Sequence, residues 1–340
     1  MGRLRIPAPL SGGVMLSYKC QAECRHCMYA CSPHWSGDWL AIDETEACLA
    51  RLAPYVQPSP RGARSVSLNH GLHFTGGEPF LNFDLLLTAA QIADSLGIPS
   101  TFVETNCFWC RDDKSTRGKL EALRDAGLRG ILISVNPFYA EYVPFERTDR
   151  CVRISREVFG GNTLVYQRGY YRLFKRQNVK GTISLDNFIS EEGVKSLARG
   201  VELFLTGRAA RKLRELYPSY PARRFFGGRC RPGFLRSWHN HFDNYGNFMP
   251  GYCGGISLGD WHDLGKLVEE GIDLKGRPVL RYLANEDLRG LFDFSDGHGY
   301  EARLDGYLSR CDLCLDLRAF LIDEIEPPSL QPPAFYKHLS

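Results

Sequence analysis

Hydrophobic and polar residues alternate at two different spacings along the first two thirds of the chain. Residues 83–97 and 116–130 carry apolar side chains at helical intervals, and Gly97 follows the first of these segments where a helix commonly ends. Short apolar or alternating runs lie between such segments, as expected for strands. The pattern predicts strands at 13–18, 72–80, 100–106, 131–136, 162–167 and 201–207, and helices at 44–53, 83–97, 116–130, 190–200 (with Ser190 as N-cap) and 208–217.

The predicted strands and helices follow one another in the order of an α/β protein. This order is typical of parallel strands joined by right-handed crossovers, so we expect a doubly wound sheet or an open or closed α/β barrel. After about residue 218 the chain becomes rich in loops, glycine and cysteine. We therefore predict an N-terminal extension at 1–12, an α/β core at 13–220 and a smaller C-terminal domain at 221–340.

Composition and charge narrow the class of protein only moderately. Of the 340 residues, 44% are hydrophobic and 24% charged, which is ordinary for a globular protein. No run of about 18 apolar residues predicts a membrane span, and the N-terminus lacks the apolar core of a secretory signal. We expect a cytoplasmic protein. A net charge of +3 is too small to indicate nucleic-acid binding.

The chain contains 12 cysteines, several of them clustered. Reducing compartments disfavour disulfides, so clustered cysteines there indicate metal ligands or catalytic thiols. Cys20, Cys24 and Cys27 follow the first predicted strand, on the side of the sheet where such folds place active sites. Three thiolates do not complete a tetrahedral zinc site. They can hold three irons of a [4Fe–4S] cluster and leave the fourth iron open.

Two motifs together resemble those of the radical S-adenosylmethionine (SAM) enzymes. These are C-x3-C-x2-C, present as "CQAECRHC", and "TGGEP" at the end of the second predicted strand. "ETN" and Ser134 end the next two strands, and the resemblance covers residues 13–217. It implies a partial (β/α)6 TIM-like barrel. It also implies SAM-binding roles for Thr75, Gly76, Gly77, Glu78 and Pro79 at the methionine part, and for Glu104, Asn106 and Ser134 near the ribose.

The resemblance further implies an activity and a partner. SAM would chelate the open iron, and its reductive cleavage would yield a 5′-deoxyadenosyl radical that abstracts hydrogen from a substrate. The reaction needs a low-potential electron donor such as flavodoxin or ferredoxin. Basic and aromatic residues alternate in 166–180 and 207–231, which could dock such a donor, an anionic substrate or RNA. Solvated helix faces would give the same pattern.

Four late cysteines form a second group. Cys230 and Cys253 flank the predicted hairpin turn "DNYGN", and Cys311 and Cys314 form a C-x2-C just before a predicted apolar helix. The arrangement resembles the twitch type of auxiliary-cluster domain, a relative of the SPASM domain, with somewhat longer spacers. It implies a small cysteine-rich α+β domain that binds a second [4Fe–4S] cluster for electron transfer. A structural zinc ion suits four thiolates equally.

The remaining candidate residues permit functional and structural interpretations. Cys107 and Cys110 follow the third predicted strand, and with Cys31 they are candidate catalytic thiols or ligands of a third site. Buried cysteines also pack as small hydrophobic residues, which is the interpretation we favour for Cys48 and Cys151. Alternate positions of one extended segment carry His239, His241 and Asp243, so their side chains are expected on one side. They are candidate acids or bases for a bound substrate, or they make ordinary polar contacts of a turn.

The sequence leaves the substrate open. We rank oxidation or cross-linking of a peptide or protein side chain first, and dehydrogenation of a small metabolite such as a sugar alcohol second. The first strand begins near residue 13, so we expect no peptide-recognition module before it. This expectation weakens the peptide interpretation but leaves room for a separate partner protein. A non-catalytic iron–sulfur electron carrier or zinc-bound interaction protein is the alternative from another class. The "GGEP" turn argues against it, because an electron carrier needs no SAM pocket.

Overall fold

We analysed a computed structural model of the protein, which describes residues 2–200 and 203–340. Short strands alternate with helices through the first half. The strands are β1 (Arg3–Leu4), β2 (Ser11–Met15), β3 (Gly71–Thr75), β4 (Phe102–Thr105), β5 (Gly130–Ser134), β6 (Thr163–Tyr166), β7 (Asn240–Phe242), β8 (Phe248–Met249) and β9 (Ile272–Asp273).

Most helices after residue 180 are shorter and more closely spaced, with the exception of α14. They are α1 (Ile42–Leu52), α2 (Phe83–Ser95), α3 (Asp113–Asp125), α4 (Pro137–Ala140), α5 (Phe145–Phe159), α6 (Arg168–Arg176), α7 (Leu185–Glu192), α8 (Val194–Gly200), α9 (Ala209–Lys212), α10 (Arg231–Phe234), α11 (Leu264–Glu270), α12 (Pro278–Ala284), α13 (Leu288–Asp296), α14 (Arg310–Ile325) and α15 (Pro333–Lys337).

The chain divides into two compact units. The sheet unit comprises residues 10–24 and 31–203, and the C-terminal unit comprises 1–9, 25–30 and 204–340. The segment 25–30, which includes the third cysteine of the first motif, is therefore packed with residues from the far end of the chain. The boundaries predicted near residues 12 and 220 were based on sequence texture and remain predictions.

The sheet unit is built on five parallel strands in sequential order. β2 pairs with β3, β3 with β4, β4 with β5 and β5 with β6, with Phe74 opposite both Val14 and Val103. Residues of β2 and β3 are buried throughout, as expected for a parallel sheet covered by helices. The carboxyl ends of all five strands lie at one edge. These features confirm the predicted α/β class and place the motif residues at strand ends.

Most elements predicted before residue 167 are present, with ends shifted by a few residues. Helices α5 and α6 were not predicted, because their charged faces obscure the apolar spacing. Between 184 and 217 the prediction is wrong in three places. The first helix begins at Leu185, because the Ser184 side chain caps it by accepting from Asn187 N at 3.1 Å. Gly193, at φ 79°, then ends it, and α8 follows.

The predicted sixth strand does not form over residues 203–207, and its residues 201–202 lie outside the described part of the chain. Thr206 N donates to Phe204 O at 2.8 Å, and Gly207 has a φ of 56°, so the chain turns there. The helix predicted at 208–217 is reduced to α9 and a single 3₁₀ turn at Arg214–Leu216.

The C-terminal unit contains the predicted hairpin and one long helix. β7 and β8 pair antiparallel across the turn at 243–247, as the "DNYGN" pattern predicts. Cys311 and Cys314 lie inside α14 rather than before it, which corrects the prediction. The helix starts earlier because Ser309 caps it by accepting from Asp312 N at 3.0 Å. β1 pairs antiparallel with β9 in the same unit.

None of the helices in the described residues has both the length and the hydropathy needed to cross a membrane.

Candidate functional site

The "TGGEP" turn is bound through its backbone to the segment that leads into the first cysteine. Gly77 N donates to Ser17 O at 2.8 Å, and Glu78 N donates to Lys19 O at 3.0 Å. A Cβ atom at Gly77 would lie 1.9 Å from Lys19 O, and Gly76 has a φ of 117°. Only glycine permits this approach and this conformation. The two glycines therefore position the start of the cysteine segment against the end of β3.

Glu78 is buried, and its carboxylate binds the end of β4. It accepts hydrogen bonds from Thr105 Oγ1 at 2.9 Å and from Asn106 N at 2.8 Å. Burial raises the pKa of this carboxyl to about 7, although the hydrogen bonds from Asn106 and Thr105 oppose the shift. In this structure Glu78 joins two neighbouring strand ends. Its expected contact with the amino group of SAM stays a prediction.

Polar side chains meet along the strand ends next to this turn. Thr75 Oγ1 donates to Glu104 Oε2 at 2.8 Å, and the nearby His73 ring lies 3.7 Å from Glu104 Oε1. Burial lowers the pKa of His73 to about 3, so this carboxylate faces a neutral imidazole. Pro79 begins a 3₁₀ turn directly after Glu78.

The Asn106 side chain connects the end of β4 to the first cysteine. It exchanges two hydrogen bonds with the Gln21 amide, at 2.9 and 3.4 Å. Its Nδ2 lies 3.8 Å from Cys20 Sγ, within reach of a weak N–H···S bond. Cys20 and Cys24 are both buried, and Ser134 ends β5 at the same edge of the sheet. The structure thus brings Asn106 and Cys20 together, while the ribose-binding roles expected for Glu104, Asn106 and Ser134 stay predictions.

Cys27 belongs to the segment 25–30, which the C-terminal unit holds. Arg208 N donates to Cys27 O at 3.0 Å, and the Arg208 guanidinium donates to Ala30 O at 2.9 Å. Gly207 and Gly254 leave room for this backbone, because a Cβ at either glycine would lie within 2.6 Å of a carbonyl oxygen of Cys27 or Met28. Sequence patterns do not reveal these contacts, since the partners lie far apart along the chain.

Cys107 and Cys110 meet a third thiol that the sequence did not single out. Both contact Cys151 of α5, and all three are fully buried. Burial raises the pKa of Cys107 and of Cys110, which keeps both thiols protonated. Cys31 is buried elsewhere in the sheet unit. The partner found for Cys107 and Cys110 is therefore Cys151 rather than Cys31, and the catalytic roles expected for Cys31, Cys107 and Cys110 stay predictions.

The late cysteines converge in the C-terminal unit from three separate segments. Cys230 precedes α10, Cys253 follows β8, and the other two lie on α14. Burial and the nearby thiols of Cys311, Cys314 and Cys230 raise the pKa of Cys253 to about 12. Four thiols that approach one another from separate segments offer the number of ligands that a four-thiolate metal site uses. The metal-ligand roles of all seven predicted cysteines remain predictions.

Two arginines adjoin the four late cysteines. Arg310 lies near Cys230, and the fully buried Arg318 lies near Cys314. The sequence analysis missed Arg318, although a signal existed. Cys311, Cys314 and Arg318 are separated by three and then four positions on α14, which places them on one helix face.

The histidines and the acid of the hairpin have structural partners. Asp243 Oδ1 accepts from Tyr245 N at 3.0 Å and from Asn247 N at 2.8 Å, which fixes the turn. His241 Nδ1 lies 2.9 Å from Tyr29 Oη. His239 has a φ of 55°, so regular strand alternation does not extend through it. The turn-contact interpretation describes Asp243 best.

Comparisons with known proteins yield structural similarity only. No protein-family model matches the chain, and no curated protein matches it. A structure of anSMEcpe with bound AdoMet and Cp18Cys peptide is similar, with 14% identity, 93% of this chain and 97% of that chain covered, and a TM-score of 0.42. BtrN in complex with AdoMet and 2-DOIA has 12% identity, coverage of 80% and 89%, and a TM-score of 0.40. Scores this low carry no argument about the site.

Proposed function

We propose that the protein is a radical SAM enzyme. The observation that carries this proposal is the pairing of the two motifs at the strand ends. The "TGGEP" backbone is hydrogen-bonded to residues 17–19, immediately before Cys20, and Asn106 of "ETN" reaches the Cys20 thiol. Three elements of the motif set therefore adjoin at the carboxyl edge of a parallel sheet, the usual location of active sites in such folds.

The residues present suit the implied cofactors. Cys20, Cys24 and Cys27 would hold the cluster, which leaves one iron open for SAM. Cys20 and Cys24 are buried in the sheet unit, where solvent has little access. When bound, the cluster and SAM supply one-electron cleavage of the sulfonium and a carbon-centred radical that abstracts hydrogen. The chain itself orients these groups through the rigid "TGGEP" turn and the Asn106 side chain.

The C-terminal unit supports a second [4Fe–4S] cluster as part of the same proposal. Its four cysteines would complete the ligand set of such a cluster, which would then supply a one-electron acceptor. Hydrogen abstraction leaves a substrate radical, and loss of one further electron makes the overall reaction an oxidation. We therefore propose an oxidoreductase, with a peptide or protein side chain as the substrate and a small metabolite such as a sugar alcohol as the alternative.

An exposed basic helix supports docking of an acidic electron donor. Helix α6 buries its aromatic residues and exposes Arg168, Arg172 and Arg176. Attraction between opposite charges speeds the encounter of two proteins and weakens as salt is added. We propose that a flavodoxin or ferredoxin binds here. Changing Arg172 to Glu should slow flavodoxin-supported turnover at low salt but leave dithionite-supported turnover unchanged.

The proposed activity is tested by SAM cleavage. The protein is reconstituted anaerobically with iron and sulfide, reduced with dithionite and given SAM, and 5′-deoxyadenosine is quantified. We expect product from the native chain and from the Cys48→Ala control, whose cysteine lies on α1. The variant with Cys20, Cys24 and Cys27 all changed to Ala should give none. Equal product from the triple variant and the native chain would reject the proposal.

The metal content of the reconstituted protein distinguishes the enzyme with two clusters from the zinc-bound alternatives. We expect about eight irons per chain, since each [4Fe–4S] cluster contributes four. About four irons together with zinc would reject the second cluster. No iron, with zinc alone, would support the interaction protein. About twelve irons would assign a further cluster to the remaining cysteines. Incubation with short peptides or with sugar alcohols, followed by mass spectrometry of the products, then distinguishes the two substrate classes.

A further inference from the structure

We propose that Arg318 is the counter-cation of the four-cysteine site and a positioning residue that raises the reduction potential of the cluster bound there. This inference rests on the second cluster of the proposed function. Nothing in the motif that identifies the four cysteines includes an arginine, so the residue belongs to this chain's own structure.

The contacts of Arg318 direct it toward the sulfur ligands. Only 2% of its surface is exposed. Its guanidinium lies near the thiol of Cys314, one turn earlier on α14, and near that of Cys253, whose neighbour Gly254 it binds. Nη1 donates to Gly254 O at 2.9 Å and to Tyr336 Oη at 3.0 Å, whereas Nε is buried without an acceptor. A buried N–H without an acceptor, on a guanidinium near two of the cysteines, is available to a thiolate or to a sulfide of the cluster.

The charge of Arg318 needs compensation inside the protein. Arginine remains protonated in proteins, and burying an unpaired cation is costly. Among the described residues, no carboxylate lies within ion-pair distance of Arg318. The available neighbours are the Gly254 carbonyl, the Tyr336 hydroxyl and the cysteines. Four metal-bound thiolates would provide the missing negative charge.

Arg310 serves as a comparison within the same site. Its Nη1 donates to Phe225 O at 2.9 Å and its Nη2 to Glu286 O at 3.0 Å. Its donors thus fix two backbone segments near Cys230, a role that stabilises the fold. Arg318 has a donor left over, which makes it the better candidate for tuning the cluster.

A cation beside the cluster should favour its reduced state, because reduction adds one negative charge. Hydrogen bonds to the sulfurs and the net charge around a cluster both affect its potential. A charge-assisted hydrogen bond contributes enough free energy to change the ratio of reduced to oxidised cluster by about tenfold. For a one-electron couple, that ratio corresponds to about 59 mV.

The experiment measures the potential of the second cluster alone. Its parent is the full chain with Cys20, Cys24 and Cys27 changed to Ala, reconstituted with iron and sulfide and titrated under EPR detection. Arg318→Gln should lower the midpoint potential by about 59 mV, a tenfold change in the ratio at fixed potential. Arg318→Lys should give a smaller decrease, because the charge stays while the Nε–H is lost. The exposed Arg289→Gln is the matched control and should leave the potential unchanged.

The outcomes separate this inference from the proposed function. Iron in the parent with an unchanged potential in Arg318→Gln overturns the inference alone. Zinc in the parent in place of iron overturns both the second cluster and the inference. If Arg318→Gln does not retain iron, the midpoint potential of Arg318→Lys is measured instead. A potential in Arg318→Lys equal to that of the parent then rejects the inference.

Discussion

The two regions that carry the predicted metal ligands are built on opposite principles. Around Cys20 the chain is held by backbone hydrogen bonds and by glycines that admit close approach, at the ends of parallel strands. Around Cys314 it is held by side chains, chiefly arginines and aspartates on and near α14. The first region is therefore intolerant of added atoms, and the second is intolerant of lost charge.

The largest effect is expected from adding a methyl group to the first region. In Gly77→Ala the new Cβ would lie 1.9 Å from Lys19 O, so the turn and the cysteine segment must separate. We expect a loss of more than about 3 kcal/mol in the free energy of unfolding and loss of SAM cleavage. Denaturant titration and the deoxyadenosine assay measure both. Gly118→Ala, on an exposed face of α3, should instead stabilise by about 0.5–1 kcal/mol.

Removing a charge from the second region should have the next largest effect. Asp312 is fully buried and accepts from Arg303 Nη2 at 2.7 Å and from Leu308 N at 2.9 Å. Asp312→Ala removes the carboxylate that Arg303 and Arg214 share and leaves the buried Leu308 N without its acceptor, although Arg303 keeps Asp316 as a partner. We therefore expect a loss of about 3 kcal/mol in the free energy of unfolding.

The control for this prediction is an aspartate on the surface. Asp293 pairs with Arg289 at 3.8 Å, and both side chains are well exposed. Asp293→Ala should change the free energy of unfolding by less than about 0.5 kcal/mol. Similar losses in both variants would mean that α14 is not held by its buried charges, and the contrast between the two regions would fail.

A pH-dependent effect is expected from Glu78. Its folded-state pKa, about 7, lies above the ordinary value of 4.5. Between these values the folded protein binds more protons than the unfolded chain, so this group reduces stability as pH rises. Glu78→Gln removes this contribution to the pH dependence of the free energy of unfolding. Relative to the variant, the native protein should lose about 2–3 kcal/mol between pH 4.5 and pH 7. Stability curves that stay parallel over this range would contradict the burial of an ionisable carboxyl.

The smallest effect should come from a single hydroxyl in the segment 25–30. Tyr29 Oη lies 2.9 Å from His241 Nδ1 and 3.0 Å from Gly251 O. Tyr29→Phe should lower the free energy of unfolding by about 1 kcal/mol, as measured by denaturant titration. Tyr55→Phe is the control, because the Tyr55 hydroxyl has no hydrogen-bond partner among the described residues. A loss of several kcal/mol at Tyr29 would show that this segment depends on side chains as strongly as α14 does.

The sequence predicted the parts of the fold whose signals are local. The apolar runs that end at Thr75, Thr105 and Ser134 are strands, and the motif residues lie at their ends. The segment 201–217 resisted prediction, because a helical or strand-like pattern there competes with a turn at Gly207 that depends on distant packing. Local spacing carries no information about such partners.

The candidate site shows the same division. The spacing of Cys20, Cys24 and Cys27 is visible in the sequence, as is the hairpin between Cys230 and Cys253. The side chains that surround them were not visible. Cys151 approaches Cys110 from helix α5, which was not predicted, and Arg318 was missed because α14 was expected to begin after the cysteines rather than before them.

The location of Cys27 has a consequence for the order in which the protein matures. Its backbone carbonyl accepts from Arg208 N, and the neighbouring Ala30 contacts the Arg208 guanidinium across 178 residues of sequence. During synthesis the first cysteines leave the ribosome long before Arg208 has been made. Residues 25–30 cannot adopt this conformation until the C-terminal half is available. The segment that carries Cys27 is therefore expected to reach its final conformation only after Arg208 has been synthesised.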